Sequence, residues 1–340
     1  MITSNISPYA KKFIKKSNPF PTLLDWADEL KKGNTSALAR AITLIESTTT
    51  SDQQKANDLL SACKTISSKS IKLGITGSPG VGKSSFIESF GLEILKDPSY
   101  KIAVLTYDPI SPLKGGSILG DKTRMQNLSN HPRAFVRPSP SSLNSSINEA
   151  CRSTIELCEF AGYDFILIET VGAGQSELGI HHLVDYTLLL LNPAGGDELQ
   201  GIKRGIMEIA DLIIVNKDDS GLETAAKTTL ANYQNALRLL AKDKVKVMKC
   251  SSLNNTGIRE IISHLALLIS LDRRKGALLK KRKNQRLYLF KEIIEQKIKV
   301  KVNKILLNKK SKPAFRKVMT KGTNLDKLAV DFIERNFKIK

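Results

Sequence analysis

A chain of 340 residues that is 41% hydrophobic and 25% charged has the composition of a globular protein, and it can bury a core without disulfide or metal staples. Its four cysteines, Cys63, Cys151, Cys158 and Cys250, form no CxxC and have no histidine pattern beside them. That excludes a disulfide framework or a zinc ribbon and points to a reducing compartment, the cytoplasm or, in a eukaryote, the mitochondrial matrix. The net charge of +20 is uneven: residues 271–340 carry 23 Lys and Arg against 6 Asp and Glu, whereas residues 1–270 sum to only +3. Any polyanion reading therefore concerns the last 70 residues. No apolar run reaches the roughly 18 residues of a membrane span, so an integral membrane protein is not expected. The first 20 residues hold four lysines without the apolar core of a secretory signal, so a cytoplasmic protein is expected, with an organelle import segment as the alternative.

In chain order, Leu23–Lys32 and Ser36–Ser47 read as helices. In the second, Leu38, Ala41, Ile42 and Ile45 recur at helical spacing behind Asn34, Thr35 or Ser36 as possible caps. From Ile71 the period changes. Short β-rich runs at 71–76, 101–108, 164–170, 186–192, 211–216 and 245–250 alternate with helix-length segments, which predicts an α/β fold with a mostly parallel, doubly wound sheet. The runs Phe165–Ile168 and Leu212–Val215 are apolar throughout, as strands covered on both faces should be. Beyond residue 255, Ile258–Leu271, Leu278–Ile298 and Leu325–Phe337 read as helices. The expected division is a helical region over 1–69, a nucleotide-binding domain over 70–270 and a basic helical arm over 271–340.

The strongest motif is Gly77-Ser78-Pro79-Gly80-Val81-Gly82-Lys83-Ser84, a full GxxxxGK[ST] between a β run and a helix that starts with Ser85. Its backbone N–H groups can close around phosphate oxygens, Lys83 can reach the β and γ phosphates, and the Ser84 hydroxyl can ligate Mg²⁺. Asn216-Lys217-Asp218-Asp219, directly after an apolar strand, matches NKxD. The Asp219 carboxylate would accept from two guanine donors that adenine lacks, so GTP and GDP are the expected nucleotides. Ser251-Ser252-Leu253 is a weaker candidate for the second wall of the base pocket. Glu169 and Gly172 stand where many GTPases carry DxxG, placing a carboxylate near Mg²⁺ and an N–H near the γ-phosphate. Asp108, at the end of a strand, and Asp121, in a glycine-flanked loop, are further candidate carboxylates, with turn or cap chemistry as the alternative for each. Lys203 lies in a basic turn with Arg204. His181-His182 lacks a third ligand at metal spacing, Cys151 and Cys158 share a helix face as packing residues, and Trp26 reads as a core anchor.

The ordered set GSPGVGKSS, DPISPLKGGSILGDKTRM, RPSPSS, ETVGAGQSE, NPAGGDELQGIKRGI and NKDD resembles one family. It is similar to the MeaB/ArgK-type (methylmalonic aciduria type A) G proteins, the GTPase chaperones of methylmalonyl-CoA mutase, over nearly the whole chain. The resemblance implies a SIMIBI-class P-loop G domain in a homodimer, with the C-terminal arm making the dimer contact and a slow, Mg²⁺-dependent GTPase as the activity. It also implies a partner, methylmalonyl-CoA mutase or a related cobalamin-dependent acyl-CoA mutase, whose loading with adenosylcobalamin the protein gates and which it protects from inactivation. By position, Asp108, Asp121 and Glu169 resemble the family's Mg²⁺ and switch carboxylates. Lys203 resembles the basic residue of its third switch loop.

This chain departs from the family at Ile110–Lys114, where a Ser/Thr/Arg-rich stretch is usual, at Leu143–Ser146, which lacks the usual glycines, and at His181-His182. The alternative reading is a G protein acting on another partner, a metallochaperone or a nucleic-acid- or membrane-associated GTPase, through the basic tail. Nickel insertion is disfavoured by the absent Cys/His motif. An ATPase or kinase is disfavoured by NKDD. A nucleic-acid partner is disfavoured by the tail's apolar positions and few aromatics, a solvated basic surface being the simpler account.

Overall fold

The computed structural model describes residues 22–64, 69–109, 125–141, 146–170, 176–193, 204–242, 244–306 and 324–336. Three helices come first: α1 (Leu23–Lys31), α2 (Thr35–Glu46) and α3 (Thr50–Ala62). The Thr22 hydroxyl and the Asp25 carboxylate cap α1 reciprocally, and Asn34 caps α2 through the N–H groups of Ser36 and Ala37. Trp26 is buried and donates its indole N–H to the Ala37 carbonyl at 3.0 Å, locking α1 to α2. The sequence does not announce α3, because this largely polar helix buries only Ala56 and Leu59.

The sheet follows, with strands β1 (Ile71–Gly77), β2 (Ile102–Pro109), β3 (Ala134–Ser141), β4 (Phe165–Thr170), β5 (Tyr186–Leu191), β6 (Leu212–Val215) and β7 (Lys246–Lys249). Their order is β3-β2-β4-β1-β5-β6-β7, and every pairing is parallel. The intervening helices are α4 (Lys83–Ile94), α5 (Gln126–Ser129), α6 (Ser146–Phe160), α7 (Ser176–His181), α8 (Arg204–Ile209) and α9 (Glu223–Leu239). They are followed by α10 (Ile258–Arg274), α11 (Ala277–Leu306) and α12 (Leu325–Asn336).

The two-residue period of the strands divides the interior. Leu188, Leu190, Leu212 and Ile214 join a core with Phe86 and Phe90 of α4 and Ile261 and Leu265 of α10. Their neighbours Leu189, Leu191, Ile213 and Val215 join another with Met207 of α8 and Tyr233 and Leu237 of α9. These strands are apolar at every position because both faces are covered.

Register at the N-terminal ends of the strands is fixed by a repeated device. Asp164, Asp185 and Asp211 each stand one residue before a strand. Each carboxylate accepts the backbone N–H of a neighbouring chain segment: Lys101 at 2.8 Å, Lys72 at 2.9 Å and Thr187 at 2.8 Å. Each aspartate also donates its own N–H to the carbonyl of that same residue. A slip by one residue would break both bonds of the clasp and turn the strand's side chains over.

Strand β3 departs from the sequence expectation, which left Ala134–Ser141 outside the sheet. Its Arg-Pro-Ser-Pro stretch reads as a loop because proline cannot donate to a ladder. Here the strand is at the sheet edge, pairing only with β2, so Pro138 and Pro140 are tolerated. The edge is tied to α2: Arg137 donates to Glu46 Oε2 at 2.5 Å, and the Ser139 hydroxyl donates to Glu46 Oε1 at 2.6 Å.

The chain forms two compact units, Met1–Leu278 and Leu279–Lys340. The first holds the N-terminal helices together with the sheet. The second holds α11 from Leu279 onward, which runs to Leu306, eight residues past the end expected from sequence, and α12. No helix among the described residues is long and apolar enough to cross a membrane.

Candidate nucleotide-binding site

The C-terminal ends of β1, β4 and β6, with the turn after β7, bring the motif residues together, the usual place for a ligand crevice in an open parallel sheet. Gly77 ends β1 at φ +150°, where an added Cβ would collide with the Leu190 carbonyl oxygen of β5. Gly82 has φ +91° and precedes α4, so the loop between them is shaped by positions that reject a side chain. Val81 anchors the loop in the core, fully buried.

Lys83 and Ser84 open α4 and are both buried. The Lys83 ammonium turns back onto the loop, donating to the carbonyls of Gly77 at 2.9 Å and Ser78 at 3.2 Å. The Ser84 hydroxyl donates to Glu169 Oε1 on β4 at 3.2 Å, joining two residues 85 positions apart. A hydroxyl and a carboxylate oxygen set side by side at the start of a helix are hard oxygen donors of the kind Mg²⁺ takes. Among the described residues no group of three or more His, Cys, Asp or Glu side chains forms a metal cluster. Asp108 lies in β2 two residues beyond the partner of Glu169, Thr106; its backbone is described and its side chain is not. Asp121, Gly172 and Lys203 lie outside the described residues.

The base-side motif is tightly knit. Asn216 is 1% exposed; its amide donates to the Val81 carbonyl at 2.9 Å, and its Oδ1 accepts from the Ser252 N–H at 3.2 Å and hydroxyl at 2.8 Å. Lys217, in a left-handed conformation at φ 60°, donates to the Gly80 carbonyl at 2.8 Å. The Asp219 carboxylate accepts the Ser251 hydroxyl, which in turn accepts the Asn254 N–H at 2.9 Å. Ser251, Ser252 and Asp219 are buried, whereas Leu253 is 74% exposed beside them. The Asp218 carboxylate points elsewhere, to Lys249 at 2.5 Å. Beneath this network Cys250 packs against Asn216, and burial pushes its thiol up to about 12.

Sequence reasoning passed over two supporting residues of α4. The Ser89 hydroxyl donates to the Ser252 carbonyl at 2.7 Å, tying the phosphate-loop helix to the base-side turn. Glu88 accepts the backbone N–H groups of Asn127 at 2.8 Å and Leu128 at 3.1 Å, capping α5 from across the fold. Neither partner is near in sequence, so no local pattern marks these residues. His181 and His182 stack edge to face with ring centroids 5.6 Å apart, and His181 Nδ1 lies 3.2 Å from the Thr187 hydroxyl, an arrangement of packing. Cys151 and Cys158 are fully buried, with their thiols raised by desolvation.

The family described as "Methylmalonyl Co-A mutase-associated GTPase MeaB" matches residues 38–305. The chain is 41% identical over 301 residues to the mitochondrial methylmalonic aciduria type A homolog of Caenorhabditis elegans, covering 78% of this chain and 75% of that one. It is 43% identical over 245 residues to GTPase ArgK of Escherichia coli (strain K12), covering 71% and 74%. Among solved structures it is similar to one titled LAO/AO transport system kinase, with a TM-score of 0.75 and 30% identity over 93% of this chain and 99% of that chain. A phosphate loop and an NKxD network joined on one parallel sheet, in a chain matched across this span, have one reading: the protein belongs to the MeaB family of P-loop GTPases.

Proposed function

We propose that the protein is a GTP-hydrolysing chaperone of adenosylcobalamin-dependent methylmalonyl-CoA mutase, or of a related cobalamin-dependent acyl-CoA mutase, gating cofactor loading and protecting the enzyme from inactivation. The observation that carries the nucleotide part is the bonded chain from Gly80 and Val81 through Lys217 and Asn216 to Ser252, which ties the phosphate loop to the base-side turn. The family description and the names of the relatives support the partner part.

In this reading the backbone of Gly77–Ser85 encloses the phosphates, and Lys83 exchanges the carbonyls of Gly77 and Ser78 for β- and γ-phosphate oxygens. Asp219, with Ser251, Ser252 and Leu253 around it, takes the guanine. Mg²⁺, held by Ser84 and Glu169 together with Asp108 and Asp121, supplies charge neutralisation at the phosphates. Glu169 and Asp108 orient water, Gly172 offers its N–H to the γ-phosphate, and Lys203 passes the nucleotide state to the mutase. Residues 70–270 act as the G domain, residues 1–69 brace its edge, and the arm over 271–340 pairs with a second copy. Exposed Leu287, Ile294 and Ile298 of α11 suit that contact. A reducing compartment, the cytoplasm or a mitochondrial matrix, suits four free thiols.

The test is GTP turnover by the purified protein with and without the apo mutase, with ATP as the nucleotide control. Stimulation of GTP turnover alone supports the reading. GTP hydrolysis indifferent to the mutase removes the chaperone part and leaves the GTPase.

A further inference from the structure

Helix α11 holds ten Lys and Arg and two Glu among its 30 residues. Five of the ten cations share one face, while Lys281 and Lys299 fall with the two glutamates. At about 100° per residue, Lys283, Arg286, Lys297, Lys301 and Lys304 fall within about 60° of arc. Glu292 and Glu295 fall on the opposite side. The row of five cations extends about 31 Å along the axis. All five are exposed, and none takes part in an ion pair recorded among the described residues. Phe290, 60% exposed, interrupts the row near its middle.

A general lysine bias does not account for this. Residues 1–270 balance 30 basic against 27 acidic side chains, whereas residues 271–340 set 23 against 6. Holding five like charges in one row costs self-repulsion that a polyanion removes.

We infer that this face of α11 binds the phosphate backbone of nucleic acid, without sequence preference. Four lysines of this row, Lys283, Lys297, Lys301 and Lys304, supply compact point charges suited to phosphate, and Phe290 offers a ring face to an unpaired base. A lipid surface fits less well. A helix lying in a bilayer interface needs an apolar sector clear of cations, yet Lys280 and Lys291 fall in the sector of Leu287, Ile294 and Ile298. Leu279, Leu287, Phe290, Ile298 and Val300 are each more than half exposed.

The test uses the full chain and fluorescein-labelled 20-nucleotide single-stranded and duplex DNA, followed by anisotropy between 50 and 200 mM NaCl. Five phosphate contacts predict a log–log salt slope of about −4.5 on duplex, a loss of about 500-fold across that range. Lys297→Gln and Lys301→Gln should each reduce the slope by about one, while basal GTP hydrolysis and helical circular dichroism stay unchanged. The triple variant Lys283→Glu, Lys297→Glu and Lys301→Glu should abolish binding. The inference is overturned by absence of binding at 50 mM NaCl or by wild-type binding in the triple variant. It is also overturned by equal competition from poly-glutamate, or by capture on phosphatidylglycerol vesicles with none on DNA.

Discussion

The Asn216 amide nitrogen stands 2.7 Å from where a Cβ on Gly82 would lie, and it donates to the carbonyl of Val81 at 2.9 Å. The invading group is not the tip of a flexible side chain. It is held on its other side through Oδ1 by the Ser252 N–H and hydroxyl. Gly82→Ala therefore meets both a clash and a left-handed φ of +91°. We expect a stability loss of about 1–3 kcal/mol by thermal unfolding. Equilibrium binding should show GTP affinity lowered at least tenfold. Unchanged affinity would show that the phosphate loop does not depend on this approach.

In the proposed GTP complex Asp219 fixes the choice of base. Its carboxylate already accepts the Ser251 hydroxyl, which orients it and leaves acceptor capacity for two guanine N–H groups. Asp219→Asn replaces one acceptor oxygen by a donor, so GTP affinity should fall by about 100-fold or more. Xanthosine triphosphate, which carries a carbonyl where guanine has its amino group, should bind in compensation. Loss of GTP without any gain for xanthosine triphosphate would mean that the substitution collapsed the pocket.

Lys83 lies between two states. In the structure it satisfies the carbonyls of Gly77 and Ser78; in the proposed GTP complex it serves phosphate oxygens. Lys83→Ala should abolish measurable GTP turnover with the fold intact by circular dichroism, at a modest cost in unfolding midpoint because the buried Gly77 carbonyl and the part-buried Ser78 carbonyl lose this donor. Wild-type turnover in this variant would sink the assignment. Lys203→Ala should leave GTP affinity and basal turnover intact and remove stimulation by the mutase, read by the same assay with and without that enzyme.

The sheet was legible where a strand's two faces are both covered, since Phe165–Ile168 and Leu212–Val215 then have no polar position to blur the signal. It was illegible at β3, where Pro138 and Pro140 are tolerated only because the strand lies at the edge, a fact of topology rather than of local sequence. The phosphate loop and NKDD were legible because backbone geometry and base recognition demand fixed residues at fixed spacing. Their fastening was not: Ser89 meets Ser252 across 163 residues, and Glu88 reaches α5 across 39. Such bonds are properties of the packed fold. What covers the apolar residues of α11 was not legible either, since helical spacing does not reveal whether a partner packs on them.

Glu46 offers a test of how α2 braces the sheet edge. Its two carboxylate oxygens serve different partners on β3, the Arg137 guanidinium and the Ser139 hydroxyl, with the pair's side chains 24% and 16% exposed for Arg137 and Glu46. Glu46→Ala takes this acceptor from the Ser139 hydroxyl and leaves Arg137 with the Thr43 hydroxyl at 3.2 Å in a half-buried setting, for an expected cost of about 1–3 kcal/mol. Glu46→Gln keeps one acceptor oxygen and should cost less, because the amide can still take one of the two bonds. Paired with Arg137→Ala in a double-mutant cycle by urea unfolding, Glu46→Ala should give a coupling energy of about 1 kcal/mol or more. Additive losses would mean that the two residues act independently and that α2 holds β3 by apolar packing alone. Amide exchange of β3 should accelerate in Glu46→Ala while that of β1, in the centre of the sheet, changes only with global stability.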